Sequence, residues 1–357
     1  MERLVAQSAA EVPRVLTMVD QALDAGWYVA GGMTYEAGAP FVDAPSHSLE
    51  TPVAWFGVYE TFASLSAGQI HDALQHVDRT ATVSQRQFAA SRADYRTAIG
   101  RIHDLIRAGE VYQINYTAPL RFRWSGDPVA LYRHGRRRQR VPYGALWNRG
   151  TDWILSWSPE LFFHIDGRRI VTRPMKGTIR RGKTPTEDAA LRQQLAADPK
   201  NRAENLMIVD LLRNDLSRCC ETGSVRVPHL FATEAYETVT QMTSTVEGTL
   251  AANTSLSDVF AALFPCGSIT GAPKRRAMQH IHTLEPTPRG VYCGTIGWAG
   301  PERATFNVAI RTARLMADGR GTMGVGSGIV WDSTADAEYD ECQLKGQFLC
   351  TPQTISA

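Results

Sequence analysis

Apolar and polar positions along this chain change their period several times, and each change predicts an element. From Ser91 the run ADYRTAIGRIHDLIRAGEVYQI places Tyr95, Ile99, Ile102, Leu105 and Ile106 near helical spacing, and Gly109 marks its end. Helical patterns return in AENLMIVDLLRNDLSR (203–218) and APKRRAMQHIHTLE (272–285), and the pattern DAEYDECQLKGQFL (336–349) predicts a closing helix. Between them lie short apolar runs bounded by turns. GWYVAGGMTYEAGAPF (26–41), TPVAWFGVYETF (51–62), DWILSWSPELFFHI on to Val171, GTIGWAG, ATFNVAIRTARL and GTMGVGSGIVW all read as strands. Strands grouped apart from helices predict an α+β fold rather than a regular βαβ repeat. No internal repeat or low-complexity linker divides the chain.

Composition narrows the class without changing that picture. With 357 residues, 43% hydrophobic and 21% charged, the chain can bury a sizeable core. A net charge of +2 gives no global pull toward nucleic acid or a membrane surface. The cluster RHGRRRQR (133–140) reads as a solvated loop, since nucleic-acid binding needs a wider basic footprint. Six cysteines (219, 220, 266, 293, 342 and 350) show no CxxC and no His-paired metal spacing, as expected of reduced thiols. The opening MERLVAQSAAEVPRVL lacks a continuous apolar stretch, so no signal peptide is read there, and a cytoplasmic location is expected. His280 and His282 stand two apart on a helix, do not share a face as metal ligands, and read as surface residues.

Candidate chemistry sits in three places. In TRPMKGTIRRG (172–182), Lys176 lies between the breakers Pro174 and Gly177; it is either a solvated turn charge or a nucleophile. In the closing helix, Glu338, Glu341 and Lys345 share one stripe, and in the middle helix Glu204 follows Asn201 by one turn. Oxygen donors from two helices suit Mg²⁺, although spacing alone favours solvated helix faces with an incidental ion pair. GTMGVGSGIV (321–330) sets Gly326 and Gly328 around Ser327 at a strand entrance. It reads equally as a carboxylate-binding nest or as a hairpin turn. PCGSITGAPK (265–274) fails the phosphate-loop spacing; it reads as a turn in which Ser268 or Thr270 caps the next helix, with Pro273 in the first turn.

Taken in order, GEVYQINYT (109–117), SPELFF (158–163), RPMKGT (173–178), AENLMIVDLLRNDLSR (203–218), FPCGSITGAPKRRAM (264–278), RGVYCGTIGW (289–298), IRT (310–312) and GSGIVWDSTADAEYDE (326–341) resemble the chorismate-utilising enzymes, and within them the aminodeoxychorismate synthases. The resemblance runs from about Arg92 to Leu349 and implies a layered α/β/β/α fold. It implies a strand-rich segment, 1–90, integrated with a catalytic core, 91–353. By the same resemblance, Glu204 and Glu341 hold Mg²⁺, Glu338 reaches it through water, and Asn201 stands where relatives often have glutamate. Tyr292, Arg311 and the backbone at Gly326 and Gly328 match the group that holds the enolpyruvyl carboxylate, and Ser327 between them is also a substrate-binding position. Gly177 and Thr178 line the ring, and Ser268 falls among the substrate-binding positions.

The implied reaction converts chorismate and ammonia to 4-amino-4-deoxychorismate for para-aminobenzoate and folate synthesis, through a covalent Lys176 adduct at C2. Anthranilate, isochorismate or salicylate synthesis and a catalytically idle binding subunit are the alternatives. Gln241 stands where many relatives have histidine near the C4 hydroxyl, and glutamine is no general acid. Proton donation is then expected from Thr243, water or Lys345. The family usually draws ammonia from a glutaminase partner; no nucleophile elbow of that enzyme is found here, so a separate glutaminase subunit is expected, with this chain a monomer or half of that heterodimer.

Overall fold

The computed structural model describes residues 2–75, 80–138, 140–236 and 239–349. The chain begins with β1 (Glu2–Ala6), α1 (Val12–Asp24), β2 (Tyr28–Met33), α2 (Ala39–Val42), β3 (Ala54–Tyr59), α3 (Ala67–Gln75) and β4 (Ala81–Phe88). It continues through α4 (Arg92–Arg107), β5 (Gln113–Gly126), α5 (Pro128–Arg138), β6 (Tyr143–Asn148), β7 (Asp152–Ser158), β8 (Leu161–Asp166), β9 (Arg169–Arg173) and β10 (Met175–Arg180). Two long helices follow, α6 (Pro185–Ala197) and α7 (Pro199–Ser217), then β11 (Arg226–Ala235), β12 (Val239–Thr249) and α8 (Leu256–Leu263). The last third holds β13 (Gly271–Ala272), α9 (Lys274–Leu284), β14 (Thr295–Ala299), β15 (Arg303–Val308), β16 (Thr312–Met316), β17 (Arg320–Ile329) and α10 (Ala335–Gly346).

Local chemistry sets the helix starts. Ser91 and Asp94 form a reciprocal capping box at α4, and Gly109, at φ 74°, turns the chain out of it. The Asp198 side chain accepts from the Asn201 N–H at the start of α7, with Pro199 in the first turn.

All strand pairs among the described residues are antiparallel. Ten strands form one sheet in the order β1-β3-β2-β14-β15-β8-β9-β12-β10, with β11 also on β12. Seven form the second, β13-β5-β17-β16-β7-β6, with β4 also on β5. Helices α1 and α7 pack on the first sheet, while α10 packs on β17 and α4 in the second. The result is the α/β/β/α layering of an α+β fold. A phenylalanine cluster fills the interior: the ring centroids of Phe163 and Phe306 lie 5.3 Å and 5.1 Å from that of Phe260.

Several expectations are corrected. The stretch 26–41 is a strand only as far as Met33; Tyr35–Gly38 is a 3₁₀ turn and α2 follows. Residues 133–138 belong to α5 rather than to a loop, because Ala130, Leu131 and Tyr132 bury the same helix and Arg133 is itself buried. Gly326 and Gly328 lie inside the ten-residue strand β17, paired with Thr117 and Asn115 of β5, not in a hairpin turn. Neither Ser268 nor Thr270 caps α9: Pro273 holds the N-cap position, and the Thr270 hydroxyl donates to the Cys266 carbonyl at 2.8 Å. His280 and His282 are half-buried, and the His282 ring lies 4.4 Å from that of His47. Cys219, Cys220, Cys266, Cys293 and Cys342 are free and buried, as expected of reduced thiols; Cys350 lies outside the described residues.

Candidate functional site

The site begins at a broken strand. Pro174 separates β9 from β10, yet both pair with β12, and the Ser244 N–H donates to the Pro174 carbonyl at 3.2 Å. The register slips between Met175 and Thr178, and Gly177 sits at φ 89°. Only glycine fits there, because a Cβ at Gly177 would stand 2.8 Å from Asn201 Oδ1 as well as strain the backbone. This bulge carries Lys176 toward the second sheet. A Cβ at Gly328 would stand 3.1 Å from Lys176 Nζ and 2.9 Å from Gln113 Nε2, so the bare strand β17 makes room for the amine. Lys176 is therefore no solvated turn charge. Dense surroundings hold its pKa below the ordinary lysine value; Glu204 and Glu160 oppose that shift, Lys345 reinforces it, and Glu341 opposes it.

Two polar residues beside this amine carried no role in the sequence. Glu160, between β7 and β8, is buried and accepts from Ser268 Oγ at 2.6 Å. Burial pushes its pKa up to about 7, against the opposing pull of Ser268 and of the Lys176 charge. Gln113 opens β5, fully buried, and neither side-chain amide atom has a hydrogen-bond partner. An unpaired buried amide costs about 1–3 kcal/mol, which marks a place where a guest's polar groups belong. Gln241 on β12 is also buried with Oε1 unpartnered.

The carboxylates come from the two helices. Glu204 on α7 is half-buried; its pKa is raised first by burial, opposed by Lys176 and Lys200, and raised further by Glu338 and Glu341. On α10, Glu338 accepts from Ser333 Oγ at 2.7 Å, and Glu341 is paired with Lys345 at 2.6 Å. Lys345 Nζ also donates to the Gly326 carbonyl at 2.8 Å, tying α10 to β17. Glu204 thus feels the charges of both α10 carboxylates, Glu338 and Glu341. Among the described residues, no three His, Cys, Asp or Glu side chains stand close enough to surround a metal as they are.

The remaining predicted positions divide. Tyr292 is buried with its ring over Gly324, where a Cβ would meet it at 2.0 Å. Arg311 takes φ 50°, and burial lowers its pKa, against the opposing Tyr236. Thr243 Oγ1 donates to Glu234 Oε1 at 3.0 Å. Two of the expected positions differ from the rest in their surroundings. Ser327 alternates with Gly326 and Gly328, so its hydroxyl faces the other way and meets Tyr95 OH at 3.1 Å; only its backbone is turned to the site strand. Thr178 is exposed, because the bulge turns Lys176 inward and the strand end outward.

The comparisons agree with this architecture. Residues 3–351 match the chorismate binding enzyme family. Aminodeoxychorismate synthase component 1 of Klebsiella aerogenes is 42% identical over 252 residues, covering 70% of this chain and 56% of that protein. Anthranilate synthase component 1 of Haloferax volcanii is 41% identical over 263 residues, covering 72% of this chain and 50% of that protein. The probable chloroplastic aminodeoxychorismate synthase of Oryza sativa is 41% identical over 75% of this chain but only 31% of its own length, so the chain spans about a third to just over half of these relatives. The crystal structure of anthranilate synthase component I from Streptococcus pneumoniae superposes with a TM-score of 0.81 at 26% identity, covering 94% of this chain and 85% of that one. A match over nearly the whole sequence and a shared layered fold place the chain in the chorismate binding enzyme family, to which it belongs.

Proposed function

We propose that the protein converts chorismate and ammonia to 4-amino-4-deoxychorismate through a covalent lysine intermediate. The observation that carries this reading is the amine of Lys176, shifted toward its neutral form and held against the glycine strand with Glu160 beside it. The neutral amine attacks C2, the ring double bonds shift, and the C4–O bond breaks. Glu160, an acid with pKa about 7, gives its proton to the departing oxygen, which leaves as water. The adduct nitrogen carries the positive charge. Ammonia then attacks C4, the double bonds shift back, and the C2–N bond breaks with its electron pair returning to Nζ. Lysine leaves neutral and the new amine keeps the charge. Tyr292 and Arg311 hold the enolpyruvyl carboxylate, and Glu160 is reprotonated from water.

The carboxylate oxygens of Glu204, Glu338 and Glu341, of which the last two act on the first, would suit Mg²⁺ in chemistry. Glu204 and Glu341 would hold it directly and Glu338 through water, with Asn201 beside them; Glu341 would exchange its ion pair with Lys345 for the cation, while Lys345 keeps its bond to the Gly326 carbonyl. A divalent cation held by these residues would supply Lewis-acid polarisation of the ring carboxylate. A glutaminase partner supplies the ammonia in the cell, and ammonium salts replace it in the test tube.

The anthranilate synthase relative, at 41% identity, makes ring position the deciding measurement. Incubation with chorismate, Mg²⁺ and ammonium, followed by chromatography and mass spectrometry, is expected to give the 4-amino product. With ammonium withheld, the intact protein is expected to gain the mass of chorismate less water. Lys176→Ala is expected to lose both the adduct and the 4-amino product. Unchanged 4-amino product from that variant, or anthranilate from the parent, overturns the reading.

A further inference from the structure

Ser268 was expected among the substrate-binding positions, but its hydroxyl is taken up by the protein. It is buried in the 3₁₀ turn Gly267–Ile269, between α8 and α9. That turn is held on several sides. The Thr270 hydroxyl donates to the Cys266 carbonyl at 2.8 Å, and an Arg289 N–H donates to the Ile269 carbonyl at 2.9 Å. A Cβ at Gly267 would stand 2.2 Å from Leu211 of α7, so the turn is pressed against that helix. Within it Ser268 Oγ meets two groups, Glu160 Oε1 at 2.6 Å and Cys266 Sγ at 3.2 Å.

A hydroxyl has one proton to place, and a carboxyl oxygen is a far better acceptor than a thiol sulfur. Ser268 therefore donates to Glu160 Oε1. Burial pushes the Cys266 thiol up to about 12, so it stays S–H and donates weakly into Ser268 Oγ. The main chain of Glu160 is pinned as well. Its N–H donates to Ser158 Oγ at 3.2 Å, and its carbonyl accepts from the Val308 N–H at 3.1 Å. Among the described residues, no hydrogen bond reaches Glu160 Oε2. The titratable groups that face this carboxyl are Lys176 of β10 and the Cys266 thiol. One oxygen is tied to the wall and the other is left for the proton.

We propose that Ser268 is the positioning residue for the acid: by occupying Oε1 it keeps the transferable proton of Glu160 on Oε2, and it then steadies the carboxylate that remains. The proposal rests on the function proposed above, in which Glu160 protonates the departing C4 oxygen. In that step the Oε2–H bond breaks, the proton joins the oxygen that leaves as water, and the electron pair stays on Glu160. The Ser268 proton does not move. A carboxylate accepts a hydrogen bond more strongly than the neutral acid does, so the hydroxyl favours the ionised form. It makes Glu160 a stronger acid than burial alone would allow.

The test takes two readings on the whole chain. One is the carboxyl C=O stretch of Glu160, identified by infrared difference from Glu160→Gln and titrated with pH. The other is single-turnover formation of the Lys176 adduct with ammonium withheld. Ser268→Ala is expected to move the Glu160 titration up by about one pH unit, the worth of one hydrogen bond to a charged group. Adduct formation is expected to slow about tenfold, a part of the roughly 10²–10⁴-fold that a general acid contributes. The chorismate concentration giving half the maximal rate stays unchanged. Ser268→Thr, which keeps the hydroxyl, restores both readings. Cys266→Ala, which leaves the Ser268 bond in place, moves the titration the same way by less, and serves if Ser268→Ala does not fold. Because Ser268 acts through Glu160 alone, Ser268→Ala adds nothing in a Glu160→Gln background. An unmoved titration, or further slowing in that background, overturns the assignment. A raised half-saturating chorismate concentration overturns it too, and returns Ser268 to substrate binding. Failure of the parent to form any adduct instead overturns the lysine mechanism, and the titration still decides the bond to Ser268.

Discussion

Glu160 ties the reaction to the stability of the fold. Its carboxyl is buried, and its pKa rises from the ordinary 4.5 to about 7 because burial disfavours the charged form. The folded state therefore prefers the protonated acid. That preference is fully present below pH 4.5 and is lost as pH rises through about 7. Two and a half pKa units correspond to roughly 3 kcal/mol. Urea denaturation of Glu160→Gln, which is neutral at every pH, is expected to show a pH dependence flatter than the parent's by that amount between pH 4.5 and 7.5. Equal pH slopes for the two proteins sink the assignment. Nothing periodic in SPELFF announces this role, since one polar residue between Pro159 and Leu161 looks the same whether it faces solvent or a lysine. Gln113 was hidden for the same reason. Lys176 was legible as a nucleophile only through resemblance, because its lowered pKa depends on a bulge and on a glycine strand 150 residues away in sequence.

At the scale of elements, α7 positions Asn201 and Glu204 at one end and is anchored at the other. Lys274, at the start of α9, donates to Asp215 Oδ2 of α7 at 2.7 Å and to the Leu263 carbonyl of α8 at 2.8 Å. Both partners of the ion pair are buried. Removing one member of such a pair strands the other, so Lys274→Met is expected to cost about 3–5 kcal/mol in urea denaturation. The double variant with Asp215→Leu recovers most of that loss, because no buried charge is left uncompensated. A single variant within about 0.5 kcal/mol of the parent shows that the pair anchors nothing. Helices α4 and α7 were legible because apolar runs follow side-chain caps at Ser91 and Asp198, and α9 and α10 from their residue patterns alone. Helix α1 was missed although Val12, Val15, Leu16, Val19 and Ala22 bury one stripe; its run adjoins a short strand and so looked like loop-bounded fragments. In α5 the arginines drew attention away from the apolar turn that precedes them, and the buried face includes Gly135, whose Cβ position lies 2.3 Å from Trp157.

For the whole molecule, the α+β class followed from strands grouped apart from helices and the layering from the family resemblance, but strand order followed from neither, because it depends on pairings across hundreds of residues. β2, at Tyr28–Met33, pairs with β14, at Thr295–Ala299, and closes the middle of the ten-stranded sheet. The first ninety residues also reach the candidate site's supporting loop. Tyr35 lies under the Arg289 guanidinium at 4.3 Å, and Glu36 Oε1 accepts from the backbone N–H groups of Arg289 and Gly290 at 2.7 and 3.3 Å. Arg289 in turn donates to the carbonyls of Ile269 and Asn115, and the same loop leads to Tyr292. Deleting residues 1–90 would leave β14 with an unpaired edge, strip β4 from β5, and expose the apolar faces that Met33 and Phe56 now cover. Such a fragment is expected to aggregate or to lack near-ultraviolet circular dichroism, and the full chain to unfold in a single transition followed by both tryptophan fluorescence and backbone dichroism. A soluble fragment 91–357 that keeps native aromatic dichroism and turns over chorismate would show that the N-terminal strands are an appendage. The hydrogen bonds of Glu36 argue otherwise, since they hold the turn on which Tyr292 is carried.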